Sequence, residues 1–167
     1  NYAKYKNYLK QLENIYFKNP SKKKNFCFVF VIAKILKLNL KSVFCVANKF
    51  KGLDFRQQIM HKTKKLLIIN DSKSTSFSST IPLLESHRNI YWILGGLAKK
   101  RDRFKLKKKY FSNIKAYIYG RDRNFFIKSL PKEIPKYSSS TLTNVLKNLK
   151  NKIKKDKNKK VVLFSPS

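Results

Sequence analysis

Apolar positions follow two different rhythms along the chain, and the change comes near residue 52. Before it, Phe26, Val29, Phe30, Ala33, Ile35 and Leu36 recur at the spacing that gathers side chains on one side of a helix. That run predicts a helix of about four turns opened by Asn19-Pro20-Ser21, with Ser21 as its N-cap. Val43, Phe44, Ala47 and Phe50 predict a second helix over 40–50, with Gly52 placed to end it. Residues 1–18 show no clean period and predict no element. After residue 54 the apolar residues come in short unbroken runs, at 66–69, 90–94, 116–119 and 161–164, the signature of strands covered on both faces. Helical patterns at 76–86, 124–129 and 142–154 separate them, and 134–137 reads as a short further strand. This alternation predicts an α/β fold: a Rossmann-like open, mostly parallel sheet with flanking helices, preceded by a helical segment.

In such sheets chemistry gathers where strands end and helices begin. The first run ends in Asn70-Asp71-Ser72-Lys73-Ser74-Thr75-Ser76, whose side chains lie beside the free N–H groups of the next helix. Asp71 suits a ribose hydroxyl or a magnesium-bound water, Lys73 a phosphate and Thr75 a carboxylate; the same cluster also reads as a polar loop with Ser76 capping a helix at Phe77. The second run ends in Gly95-Gly96 followed by Lys99, either a close backbone approach to an anionic ligand or a tight turn with a solvated lysine. Arg56, after Gly52-Leu53-Asp54-Phe55, either reaches phosphates or marks an exposed hinge. His61 and His87 have no carboxylate or nucleophile at a telling distance and read as surface or edge residues.

Composition changes this picture little. A hydrophobic fraction of 42% with 14% aromatics is that of a folding chain, and 167 residues suffice for one well-buried domain with a helical appendage. The formal charge of +32 would attract polyanions. However, the lysines are spread throughout and only 4 glycines accompany abundant Asn, Ile, Phe and Tyr, a skew that an adenine- and thymine-rich coding sequence produces without any partner. Tyr91, Trp92, Tyr117 and Tyr119, the aromatics that could stack on bases, fall in predicted strands rather than in the basic runs 105–109 and 150–160. A basic nucleic-acid-binding protein therefore stands as the alternative reading, and no specific nucleic acid is the expectation. Cys27 and Cys45 lie too far apart for a metal pair and predict buried thiols in a reducing compartment. The run 26–38 is broken by Lys34 and Lys37 and is too short to span a bilayer, and residues 1–10 lack the apolar core of a signal peptide; a cytoplasmic location is expected.

Taken in order, Gly52-Leu53-x-x-Arg56, Ile69-Asn70-Asp71-Ser72-Lys73-Ser74-Thr75, Leu83-Leu84-Glu85-Ser86, Ile93-Leu94-Gly95-Gly96-x-x-Lys99 and Leu163-Phe164-Ser165-Pro166 resemble the end of a Mur ligase, over about residues 19–167. The branch most similar is the one that adds D-glutamate. The resemblance implies that 1–53 are the helical end of the central ATPase domain and that 54–167 are the C-terminal Rossmann-like domain, truncated at its end. It implies an ADP-forming amide-bond ligase of peptidoglycan precursor synthesis, monomeric, using ATP and Mg2+ to activate UDP-N-acetylmuramoyl-L-alanine as an acyl phosphate for attack by D-glutamate. This chain alone is expected to be inactive, and no catalytic residue is assigned within it. A non-catalytic paralogue of the same fold is a further alternative. Carried over by position, Asn25, Arg56 and Asp71 match ATP contacts, while Lys73, Thr75 and Lys99 match positions at the product and the incoming amino acid. Ser21-Lys22, Asp54-Phe55 and Ser76 depart from the family pattern, which bears on ATP affinity. The reading requires Asp71, Lys73, Thr75 and Lys99 to meet in one crevice, delivered there by two neighbouring parallel strands.

Overall fold

The computed structural model describes all residues except 1–4, 6, 19, 100, 101 and 167, and at 15, 18, 20 and 21 it describes the backbone alone. It comprises two units, Asn1–Gly52 and Leu53–Ser167.

In the first unit, α1 (Pro20–Ile35) and α2 (Leu40–Lys49) follow two short 3-10 turns. The first helix begins at Pro20, so Ser21 lies inside it and is not its N-cap. Proline suits this first position because the N–H it lacks would have no intrahelical partner there. Asn39 caps α2, its side chain accepting from the Ser42 N–H at 3.2 Å. The terminal residue of α2 is followed by an extended Phe50, and Gly52 lies two residues further on at φ +92°, against the Tyr16 ring; it is not the residue that ends the helix. Leu9, Phe17, Phe26, Phe30, Phe44 and Ala47 form a small aromatic core, with Phe26 and Phe30 both packed on Phe44. Phe28, Val29, Ile32 and Ile35 lie outside it and are exposed. Cys27 is buried, but Cys45 is exposed: on a two-helix unit this thin, only one face of α2 is covered.

The second unit is a six-stranded sheet: β1 (Gln58–Lys62), β2 (Leu66–Asn70), β3 (Ile90–Gly95), β4 (Ile114–Tyr119), β5 (Lys136–Ser139) and β6 (Lys160–Phe164). Their spatial order is β1-β2-β6-β3-β4-β5, parallel throughout except for the antiparallel pairing of β1 with β2. The two edge strands differ from expectation. The run 134–137 gives up Ile134 to the core, and the strand it heads begins only at Lys136, while β1 has no counterpart in the predicted elements.

Alternation along each strand divides two cores. Ile90, Trp92 and Leu94 face one side, where α3 (Phe77–Ser86), α4 (Arg123–Ser129) and a 3-10 segment, Lys108–Asn113, cover them with Phe77, Leu84, Phe126 and Phe111. Tyr91, Ile93, Tyr117 and Val162 face the other side, which α5 (Leu142–Lys155) covers through Val145 and Leu149. Trp92 is fully buried and Tyr91 and Tyr117 nearly so, which withdraws these rings from any role in stacking on bases.

Candidate functional site

The carboxyl ends of β2, β6, β3 and β4 open along one edge of the sheet, and their exit loops are tied together by hydrogen bonds. β2 and β3 are not neighbours: β6 runs between them, pairing with both. The expected crevice is therefore built by three strands, and its middle is supplied by the residue that follows β6. Ser165 is fully buried, shares a 2.6 Å hydrogen bond with the Thr80 hydroxyl on α3, and accepts from the Trp92 indole N–H through its carbonyl at 3.2 Å. Ser74 joins the same chain of hydroxyls, 2.9 Å from Thr80. In the sequence Ser165 stands in the Leu163-Phe164-Ser165-Pro166 motif after an apolar run, but nothing there points to its partner 85 positions away.

Across this bridge Lys99, from the β3 exit, places its ammonium 3.1 Å from the Thr75 hydroxyl of the β2 exit. Both side chains are exposed, so the ammonium keeps donors free for an anion arriving from solvent. The loops around them are held from below. Asp102 accepts from the Phe77 N–H at the first turn of α3, and Asp122 accepts from the Ala98 N–H at 2.9 Å. Ser76 caps α3, accepting from the Ser79 N–H at 3.3 Å, as the cluster's polar-loop reading expected. Gly95 is required by backbone contact: a Cβ there would stand 2.0 Å from the Tyr119 carbonyl, at φ +146°. Gly96, at φ +108°, faces open space.

Asp71 differs from its loop neighbours in being only 6% exposed. Its N–H donates to the Phe164 carbonyl at 2.8 Å, and its carboxylate accepts from the Gln57 N–H at 3.0 Å. Lys73 is exposed, and its N–H donates to the Phe55 carbonyl at 3.1 Å. These two bonds clamp the segment carrying Arg56, whose side chain is exposed. That segment is strained, since Phe55 at φ +63° and Gln57 at φ +51° both occupy the left-handed region. Asp54, one of the departures from the family pattern, accepts from the Gln58 side chain at 2.7 Å and helps to hold the turn.

The six residues singled out from sequence thus fall into three groups. Thr75 and Lys99 touch; Arg56, Asp71 and Lys73 are joined through the Phe55–Gln57 turn; and Asn25 is an exposed residue of α1 in the other unit. His61 is exposed on the edge strand β1, and the His87 Nδ1 lies 3.1 Å from the Leu83 carbonyl at the end of α3. Among the described residues no group of three His, Cys, Asp or Glu side chains is placed to hold a metal ion. No described helix is long and apolar enough to cross a membrane.

No family model matches the chain. Its sequence is 33% identical over 147 residues to the UDP-N-acetylmuramoylalanine--D-glutamate ligase of Francisella tularensis subsp. tularensis, covering 86% of this chain and 35% of that protein. It is 27% identical over 136 residues to the ligase of the same name from the Wolbachia of Brugia malayi, covering 81% of this chain and 27% of the relative. The chain therefore spans about a third or less of the curated relatives it matches. Among solved structures, the MurF ligase of Thermotoga maritima in complex with ADP superposes with a TM-score of 0.65 at 18% identity, over 89% of this chain and 35% of that one.

Proposed function

This chain belongs to the Mur ligase family, and from that premise we propose that it supplies the nucleotide-closing and amino-acid-binding part of an ADP-forming ligase that adds D-glutamate to UDP-N-acetylmuramoyl-L-alanine. The observation that carries this reading is the Lys99–Thr75 contact at the carboxyl edge of the sheet, bridging two strand exits that are separated by β6. A lysine with unspent donors and a hydroxyl 3.1 Å away can together hold a carboxylate, the group an incoming D-glutamate keeps while its amine attacks. Arg56 then serves as an ATP contact on the adjoining turn, and Lys73, exposed beside it, as a contact to the substrate or product. Asp71, being buried, acts as the positioning residue that fixes the turn carrying Arg56.

In this reading residues 1–53 close a larger ATPase domain, and Asn25 is an ATP contact within it. The exposed apolar stripe Phe28, Val29, Ile32 and Ile35 supports this, because such a stripe is what a helix presents when it is built to cover further structure. ATP, held with magnesium, would supply the phosphoryl group that converts the UDP-N-acetylmuramoyl-L-alanine carboxylate into an acyl phosphate, with ADP as the leaving group. This chain's own groups bind and orient anions, the positioning and charge stabilisation that amide ligation needs. The complete protein is read as a cytoplasmic monomer.

A chimera tests the reading. The Francisella enzyme, with its aligned 147 residues replaced by this chain, should release ADP in proportion to added D-glutamate. Lys99→Ala should raise the D-glutamate KM by at least about tenfold, as expected for one charge-assisted contact to a carboxylate. A folded, ATP-binding chimera that releases no ADP with any amino acid would remove the enzymatic reading and leave the paralogue alternative.

A further inference from the structure

The opposite end of the sheet carries a cavity that the ligase reading does not use. It lies on the face covered by α5, at the amino ends of β3, β4 and β5, and encloses about 500 Å³, within the range of small-molecule pockets. Tyr91, Tyr117 and Tyr137 form its floor as a ladder across the three strands, with ring centroids 6.0 and 5.9 Å apart. Lys115, Lys136 and Lys152 line it above that floor.

Two features make this more than a solvated basic surface. The first is cationic charge with no carboxylate in direct contact among the described residues. Asp156 is taken up by Asn89, Tyr91 and Lys115, and Glu133, although it feels the charge of Lys136, pairs with Lys108 at 3.5 Å, so neither Lys136 nor Lys152 makes a contact ion pair. Lys136 donates once, to the Pro131 carbonyl at 2.6 Å, leaving two of its donors free. The second is Tyr117. It is only 5% exposed, lines the cavity, and its hydroxyl has no hydrogen-bond partner among the described residues, whereas Tyr91 beside it is satisfied by Asp156 at 2.7 Å. A buried hydroxyl left unpaired is costly, and such groups in native proteins are normally met by something that occupies the adjoining space. Burial also pushes the Tyr117 hydroxyl up from its ordinary range, so it remains protonated and available as a donor.

We propose that this cavity binds the phosphoryl group of a small phosphorylated compound, with the Tyr117 hydroxyl and the Lys136 and Lys152 ammonium groups as its donors. The site is independent of the ligase reading and faces the other end of the strands.

Backbone spectra of the labelled 167-residue chain at about 0.15 M salt, where long-range surface attraction is screened, test it with inorganic phosphate, AMP and a single-stranded RNA oligomer as probes. Phosphate and AMP should give saturable shifts at Lys115 to Tyr117, Lys136, Tyr137 and Lys152. The Lys136→Ala/Lys152→Ala variant should bind at least about tenfold more weakly. Tyr117→Phe should weaken binding while leaving the free protein as stable as before or more so, since it deletes an unpaired hydroxyl; a purely structural Tyr117 would not split the two readouts. Absence of saturable shifts, shifts scattered over all lysines, equal affinity in the double variant, or binding of RNA alone with steep salt dependence would each overturn the proposal.

Discussion

At the residue scale, Gly95 shows how a motif suggesting ligand contact is also fixed by the fold. From sequence, Gly95-Gly96 reads as room for a ligand. In the structure the close neighbour of Gly95 is the carbonyl of Tyr119, and only Gly96 opens outward. Gly95→Ala must push two paired strands apart as well as hold an L-residue at φ +146°, and should cost on the order of 3–4 kcal/mol in urea unfolding. Gly96→Ala meets nothing within 4 Å but still holds an L-residue at φ +108°, and should cost about 1–3 kcal/mol. Tyr91 is the second informative residue. Hydrogen bonds from Asn89 and then from Tyr91 hold the Asp156 carboxyl well below its ordinary 3.8. A depressed native pKa stabilises the fold above the unfolded value, and that stabilisation is lost as pH falls through the native one. Tyr91→Phe should therefore lower stability by about 1.5–3 kcal/mol at neutral pH, with the gap to the parent narrowing only below about pH 4. Matched urea titrations at pH 7 and pH 3 read this directly.

At the element scale, α3 depends on caps from two sources. Ser76 caps it locally, while Asp102 reaches its first turn from the β3 exit loop. Ser76→Ala should cost about 1 kcal/mol. Asp102→Ala should cost about 1–2 kcal/mol and also release the loop that presents Lys99, raising the D-glutamate KM of the chimera along with the loss of stability. Ser76 was legible from sequence because capping is local; Asp102 was not, because its partner lies 25 residues away. The same division runs through the sheet. β2, β3, β4 and β6 were legible because central parallel strands are apolar on both faces. β1 was not, since Gln-Ile-Met-His-Lys on an edge buries almost nothing and its apolar residues are adjacent instead of alternating. β5 starts two residues later than the run 134–137 predicts because Ile134, the most buried residue of that run, precedes the strand and packs in the core. Thr75 and Lys99 were rightly expected to meet, although the strand between them could not be read from their own loops.

At the scale of the whole molecule, charge is the dominant imbalance. A net +32 is met by two ion pairs among the described residues, so most lysines repel one another across the surface. Added monovalent salt should therefore stabilise the chain, raising its thermal midpoint by several degrees between about 0.02 and 0.5 M, where the Debye length falls from roughly 20 to 4 Å. A decrease over that range would show that attractive surface pairs outweigh the repulsion.

β6 is the last of the six strands to be synthesised, yet it lies near the middle of the sheet, paired with β2 on one side and β3 on the other. Until Lys160–Phe164 leaves the ribosome, the nascent protein holds one hairpin and one three-stranded ribbon, each with a raw hydrogen-bonding edge and no route to join. Completion is a late, long-range zipping event of the slow kind, and an interruption of translation just short of it leaves two sticky half-sheets in place of a shortened domain.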